Sequence, residues 1–132
     1  MQDLASQESC EGRKREALAN IIHFLQDAVS STENCKVPVI AAISGNCIGG
    51  AVDLITACDL RYCTEDAVFC IKETDLGMVA DVGTLQRLPK LIGDQQTREL
   101  AYTGRVFNGR FKPNPINDSN HILLHPINIH GP

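Results

Sequence analysis

The sequence predicts an α/β domain, and three observations point that way. An N-terminal stretch repeats its apolar residues at helical spacing. Short apolar runs follow, separated by glycine-bearing turns. The predicted order strand, helix, strand, strand, helix then falls within about 60 residues, the alternation expected of an α/β fold.

Residues 1–10 carry no clear signal. Over Glu11 to Ser31, Leu18, Ile21, Ile22, Leu25, Ala28 and Val29 recur on one side of a helix, opposite a polar face. This predicts an amphipathic helix packed on a sheet, with His23 at its surface or boundary. Val37 to Ile43 is continuously apolar with Pro38 near its start, which predicts a buried strand. Ser44-Gly45-Asn46 reads as a turn. Gly49-Gly50 is a second break and leads into a helix over Ala51 to Cys58. Asp59 to Cys63 and Ala67 to Ile71 read as two more strands. Gly83 to Leu91 and Asp94 to Tyr102 read as helices, each preceded by a glycine or an acidic cap. From Phe111 the character changes: Pro113, Pro115 and Pro126 break any helix, and the Ile122-Leu123-Leu124 cluster is too short to make a core. The organisation expected is therefore an irregular 1–10, a folded 11–110 and a disordered tail over 111–132.

Composition narrows the function. A chain of 132 residues fits one domain with a real core, and 43% hydrophobic with 21% charged residues is an ordinary globular balance. The net charge of −4, with no continuous basic stripe and no Trp, leaves nucleic-acid binding without a footprint. No apolar run approaches the roughly twenty residues of a membrane helix. Of the six cysteines, Cys47, Cys58, Cys63 and Cys70 lie in or beside apolar runs, and no C-x-x-C or signal peptide accompanies them. Reduced thiols in a reducing compartment are expected.

Three acids are the candidate chemistry: Asp53, Glu73 and Asp81. Asp81 sits among Met78, Val79, Ala80 and Val82, and a carboxylate in apolar surroundings is costly unless it is paired, hydrogen-bonded or protonated. That cost is tolerable where proton transfer needs a shifted pKa. Gly49-Gly50 opens a helix whose N-terminal N–H groups can hold an anion, and the Gly50 N–H could stabilise an enolate. Each residue also has a plainer reading. The glycines suit a turn, Asp53 a first-turn acid favoured by the helix dipole, Glu73 a solvated loop acid, and Asp81 an N-cap for the helix near Gly83. His121 and His125 have a metal-compatible spacing with His130 beyond, but the prolines deny the helix and no acid or thiol joins them, so no metal is expected.

The residues that settle the choice form longer motifs. Lys36 to Leu54, KVPVIAAISGNCIGGAVDL, continued by ACDLRY over Ala57 to Tyr62, resembles the central motif of the crotonase (enoyl-CoA hydratase/isomerase) superfamily. KETDLG over Lys72 to Gly77, with DVGTLQRLP over Asp81 to Pro89, resembles its dienoyl-CoA isomerase branch. The likeness runs from about residue 11 to 110 and is strongest between 36 and 105. It implies part of a crotonase-type ββα spiral core with a divergent, irregular C-terminal tail. Asp53 and Glu73 fall on the superfamily's two acid positions, where hydratases carry Glu at both. Asp81 falls on a third acid position that typically holds Gly in hydratases. By resemblance, Asp81 removes the C2 proton of a 3,5-dienoyl-CoA, Glu73 supplies the C6 proton, Asp53 orients or tunes them, and Gly50 with Gly49 forms the oxyanion site. Neighbouring acids in an apolar pocket split their pKa values, as this division requires. The partner implied is acyl-CoA, which is substrate and not cofactor, so no cofactor is expected.

The resemblance also implies what is missing. The family's N-terminal strands supply a second oxyanion N–H, and loss of one such donor costs about a hundred- to a thousandfold in rate. Its C-terminal helices cap the acyl pocket and build the trimer interface of trimers and hexamers. A chain truncated at both ends, with little turnover, is the expectation. The rival readings are an enoyl-CoA hydratase and a non-catalytic fragment of the family. Relatives of this kind work in peroxisomes or mitochondria, although no targeting signal is visible.

Overall fold

The computed structural model describes residues 10–110 and the backbone of 125–126. Its strands and helices repeat a strand–strand–helix unit. The first unit is β1 (Ile40–Ile43), β2 (Asn46–Ile48) and α2 (Gly50–Ala57), preceded by α1 (Glu11–Glu33). The second is β3 (Leu60–Cys63), β4 (Val68–Cys70) and α3 (Thr84–Ile92), with a 3-10 turn at Glu73–Leu76 before the helix. α4 (Asp94–Thr103) and β5 (Phe107–Asn108) follow, and β6 is His125–Pro126.

Successive units stack strand on strand. β1 pairs in parallel with β3, Ile40 opposite Leu60, and β2 in parallel with β4, Ile48 opposite Cys70. The two strands of a unit thus belong to two different sheets, ordered β1-β3-β6 and β2-β4-β5. This is a turn of a ββα spiral, as expected. The tail predicted over 111–132 lies outside the described residues, except that the backbone of His125–Pro126 runs parallel to β3.

The core lies between the β2-β4-β5 sheet and the helices that follow it. Phe69, Ile71, Val52 and Leu100 are almost fully buried, and Phe69 stacks on Phe107 with ring centroids 5.3 Å apart. Each such side chain contributes about 1.5–3 kcal/mol by leaving water. Arg61, also buried, spends its guanidinium on the carbonyls of Ile55, Cys58 and Asp59, closing the C-terminal end of α2. All six cysteines are free thiols, and burial pushes the Cys47 thiol up to about 11, which makes it a packing group rather than a nucleophile.

Three local expectations need correction. The turn expected at Ser44-Gly45-Asn46 ends one residue early, because Asn46 already pairs with Val68 as the first residue of β2. The strand expected to be buried over 37–43 is short and open: Val37 precedes it and is exposed, and Ile40 is exposed on β1, an edge strand among the described residues. α1 is helical where the periodicity places it, but none of its residues is buried and it packs chiefly on α2 rather than on a sheet. Its apolar stripe is real, and most of it faces solvent.

Candidate active site

Parallel pairing of β2 and β4 brings their C-terminal ends to one edge. At that edge the chain after β2 turns through Gly49, with φ 57 and ψ −123, a conformation open to glycine. The Gly49 N–H continues the ladder by donating to Cys70 O at 2.9 Å. Gly50 then begins α2 with open space where a side chain would stand, so the N-terminal N–H of the helix is approachable.

Glu73 arrives at the same edge three residues beyond β4. Its Oε1 lies 3.4 Å from the point where a Cβ on Gly49 would sit, and its Oε2 is buried without a hydrogen-bond partner. Burial raises the Glu73 carboxyl above its ordinary range. Hydrogen bonds from its own backbone and that of Lys72 pull down, while the charges of Asp53 and Asp81 push up. The solvated-loop reading of Glu73 is therefore corrected: it is half-buried, in a 3-10 turn, with one oxygen out of water.

Asp53 is 1% exposed, in the first turn of α2. Its Oδ1 accepts a 2.6 Å hydrogen bond from the backbone N–H of Thr84, the first residue of α3, and its Oδ2 has no partner. The first-turn reading of Asp53 holds, and the same carboxylate also caps the next helix, 31 residues on. Sequence reasoning missed Thr84, since a cap supplied from another helix leaves no local spacing to find. The N-cap reading of Asp81 fails for the same reason. Gly83 occupies that position, and no side chain of the preceding turn caps α3.

Asp81 is half-buried, in the turn before α3. It borders a polar depression of about 370 Å³ shared with Gln26, Glu33, Arg87 and Lys90. Glu73 lines a different, mainly apolar cavity of about 400 Å³, walled by Ile71, Val79, Ala80, Leu85 and Pro89. The two acids border separate depressions, and electrostatic reach joins them: the Asp81 charge acts on Glu73. Gln26 on α1 touches this turn, donating to Asp81 O at 2.7 Å, and nothing in the sequence singled it out. Among the described residues no group of His, Cys, Asp and Glu could hold a metal, and no helix is long and apolar enough to cross a membrane. His121, His125 and His130 have side chains outside the described residues.

Chemically, the edge offers a protonatable carboxyl in an apolar wall, two further carboxyls within reach of its field, and a helix N-terminus for developing negative charge. Comparison with known proteins agrees in kind. Residues 4–110 match the family model for enoyl-CoA hydratase/isomerase. The chain is 59% identical over 98 residues to the peroxisomal Delta(3,5)-Delta(2,4)-dienoyl-CoA isomerase of Arabidopsis thaliana, covering 74% of this chain and 35% of that one. It is 58% identical over 89 residues to the mitochondrial enzyme of the same name from Homo sapiens, covering 67% and 27%. Among solved structures, a Thermobifida fusca protein described as an enoyl-CoA hydratase, in complex with CoA, superposes with a TM-score of 0.69 at 32% identity over 72% of this chain and 37% of its own. The chain spans about a third of the length of these relatives.

Proposed function

This chain belongs to the enoyl-CoA hydratase/isomerase family, and from that premise we propose that it carries the acid centre of an isomerase converting 3,5-dienoyl-CoA to 2,4-dienoyl-CoA. The observation that carries the reading is Glu73, half-buried beside the Gly49 turn that opens α2, with one carboxylate oxygen buried and unpartnered and the charges of Asp53 and Asp81 both acting on it.

Moving two double bonds one position toward a thioester takes a proton from C2 and returns one at C6. Asp81 accepts the C2 proton, the electrons flow into the thioester, and the dienolate oxygen rests at the Gly50 N–H. Glu73, whose raised pKa favours the protonated form, delivers a proton to C6, and the double bonds settle at C2 and C4. The proton then passes back from Asp81 to Glu73 before the next turnover. Asp53 donates no proton here. Its carboxylate fixes the α3 N-terminus, and with it the turn that bears Asp81. The apolar cavity beside Glu73 suits a hydrocarbon chain. CoA is part of the substrate, so the reading needs no cofactor. The peroxisomal and mitochondrial names of the relatives support a place in fatty-acid β-oxidation in one of those organelles.

A direct assay tests this. Purified protein is incubated with 3,5-dienoyl-CoA and separately with 2-enoyl-CoA, and the ultraviolet absorbance of the conjugated 2,4-diene thioester is followed. Diene formation that disappears in Asp81→Asn supports the isomerase. Hydration of the enoyl thioester without isomerisation moves the chain to the hydratase branch. With neither reaction, the chain is a non-catalytic member of the family.

A further inference from the structure

The turn that carries Asp81 has little regular structure of its own. Between the 3-10 turn and α3, residues 78–80 belong to no helix or strand, and Met78 and Val79 are exposed. Two contacts from α1 take hold where that segment meets α3. Gln26 Nε2 donates to Asp81 O at 2.7 Å, and Gln26 Oε1 lies 3.3 Å from His23 Nδ1, so both ends of the side-chain amide are engaged. One residue on, Arg87 Nη1 reaches Val82 O at 3.4 Å, while its Nη2 donates to Ser30 Oγ and its Nε to Glu33 Oε2, each at 2.9 Å. Arg87 can lie there because residue 83 is glycine: a Cβ on Gly83 would stand 1.7 Å from Nη1. Consecutive carbonyls, those of Asp81 and Val82, are thus tied to one face of α1.

We propose that Gln26 is a positioning residue for Asp81, and that α1, through Gln26 and the Ser30–Arg87–Glu33 brace, sets the separation between the Asp81 and Glu73 carboxyls. The proposal rests on the reading of Asp81 as the proton acceptor. A long side chain gives up rotamer freedom when ordered, and a hydrogen bond returns a net gain of about the same size. On those magnitudes the Gln26 contact adds little to stability. Its geometry, a donor aimed at the backbone of a reacting residue, is of the kind that fixes distance. A misplacement of about 1 Å can cost a hundredfold in rate.

The test is a double-mutant cycle read at Glu73. Gln26→Met keeps length and helix propensity but has no donor, and Asp81→Asn removes the charge that Glu73 feels. The Glu73 carboxyl is titrated by carbon-13 NMR in wild type, both single variants and the double variant. Asp81→Asn lowers the Glu73 midpoint. Gln26→Met is expected to lower it in the same direction, with no further effect once Asp81 is Asn. Gln26→Asn, which keeps the amide but falls a methylene short, is expected to behave like Gln26→Met. A merely structural Gln26 lowers the melting temperature and leaves the Glu73 midpoint where it was, which overturns the proposal. So does a Gln26→Met shift of equal size in the Asp81→Asn background. With 3,5-dienoyl-CoA, Gln26→Met is expected to lose about tenfold in kcat at unchanged KM. A wild type that forms no diene sinks the isomerase reading, while the titration still decides whether Gln26 fixes the spacing of the carboxyls.

Discussion

At the scale of single residues, Glu73 and Asp53 do different work, and stability measurements separate them. Burial raises the Glu73 carboxyl. Below the ordinary carboxylate range, near 4.3 for Glu, both folded and unfolded chains hold the proton and no penalty arises. As pH rises through the raised folded value, the folded chain must bury a charge that the unfolded chain solvates, so stability is lost. Glu73→Gln removes that term. It is expected to be more stable than wild type at neutral pH and to show no advantage near pH 3, by chemical denaturation at both. On the proposed isomerase reading, in which Glu73 is the proton donor, it is also expected to lose diene formation. Asp53 behaves in the opposite manner. Asp53→Ala orphans the buried Thr84 N–H and is expected to cost about 1–3 kcal/mol, whereas Asp53→Asn keeps an acceptor oxygen and most of that stability. Equal stabilities for the two variants would show that the cap contributes nothing.

At the scale of elements, the site depends on the turn between β2 and α2. Gly49 has φ 57, and a side chain there meets Glu73 Oε1 at 3.4 Å. Gly49→Ala is expected to destabilise by about 1–2 kcal/mol from backbone strain. Since the added methyl leans on Glu73, its carboxyl titration should move as well. A mutant with the strain but an unmoved Glu73 titration would separate the turn from the acid. Much at this scale was legible. The Gly49-Gly50 break, both helices after Gly83, and the strands at 60–63 and 68–70 follow from local chemistry. What escaped was non-local. β2 is a three-residue strand opening with Asn, and it exists because β4 pairs with it, the Val68 N–H donating to Gly45 O just ahead of the strand, not because its sequence favours extension. The pairing of Asp53 with Thr84, and of Gln26 with Asp81 across 55 positions, leaves no period to read.

At the scale of the whole molecule, the sequence predicted more burial than the described residues provide. The apolar stripe of α1 marks a face suited to being covered, but periodicity reports that a face is apolar without naming what lies on it. Leu18, Phe24 and Leu25 are exposed on α1, Phe24 at 71%, and Val37 before β1, Ile40 on β1 and Leu60 on β3 add exposed apolar surface. Surface of this kind favours association of partly folded chains more than it favours the native fold. Phe24→Lys therefore separates solubility from stability. A side chain so exposed contributes little to the core, so denaturant unfolding should change by no more than about 0.5 kcal/mol. Concentration-dependent light scattering should fall, because a charge replaces the most exposed large apolar side chain of α1. If Phe24→Lys instead unfolds the chain, α1 is bound through the face that bears Phe24, and the main packing of the helix is not the contact with α2.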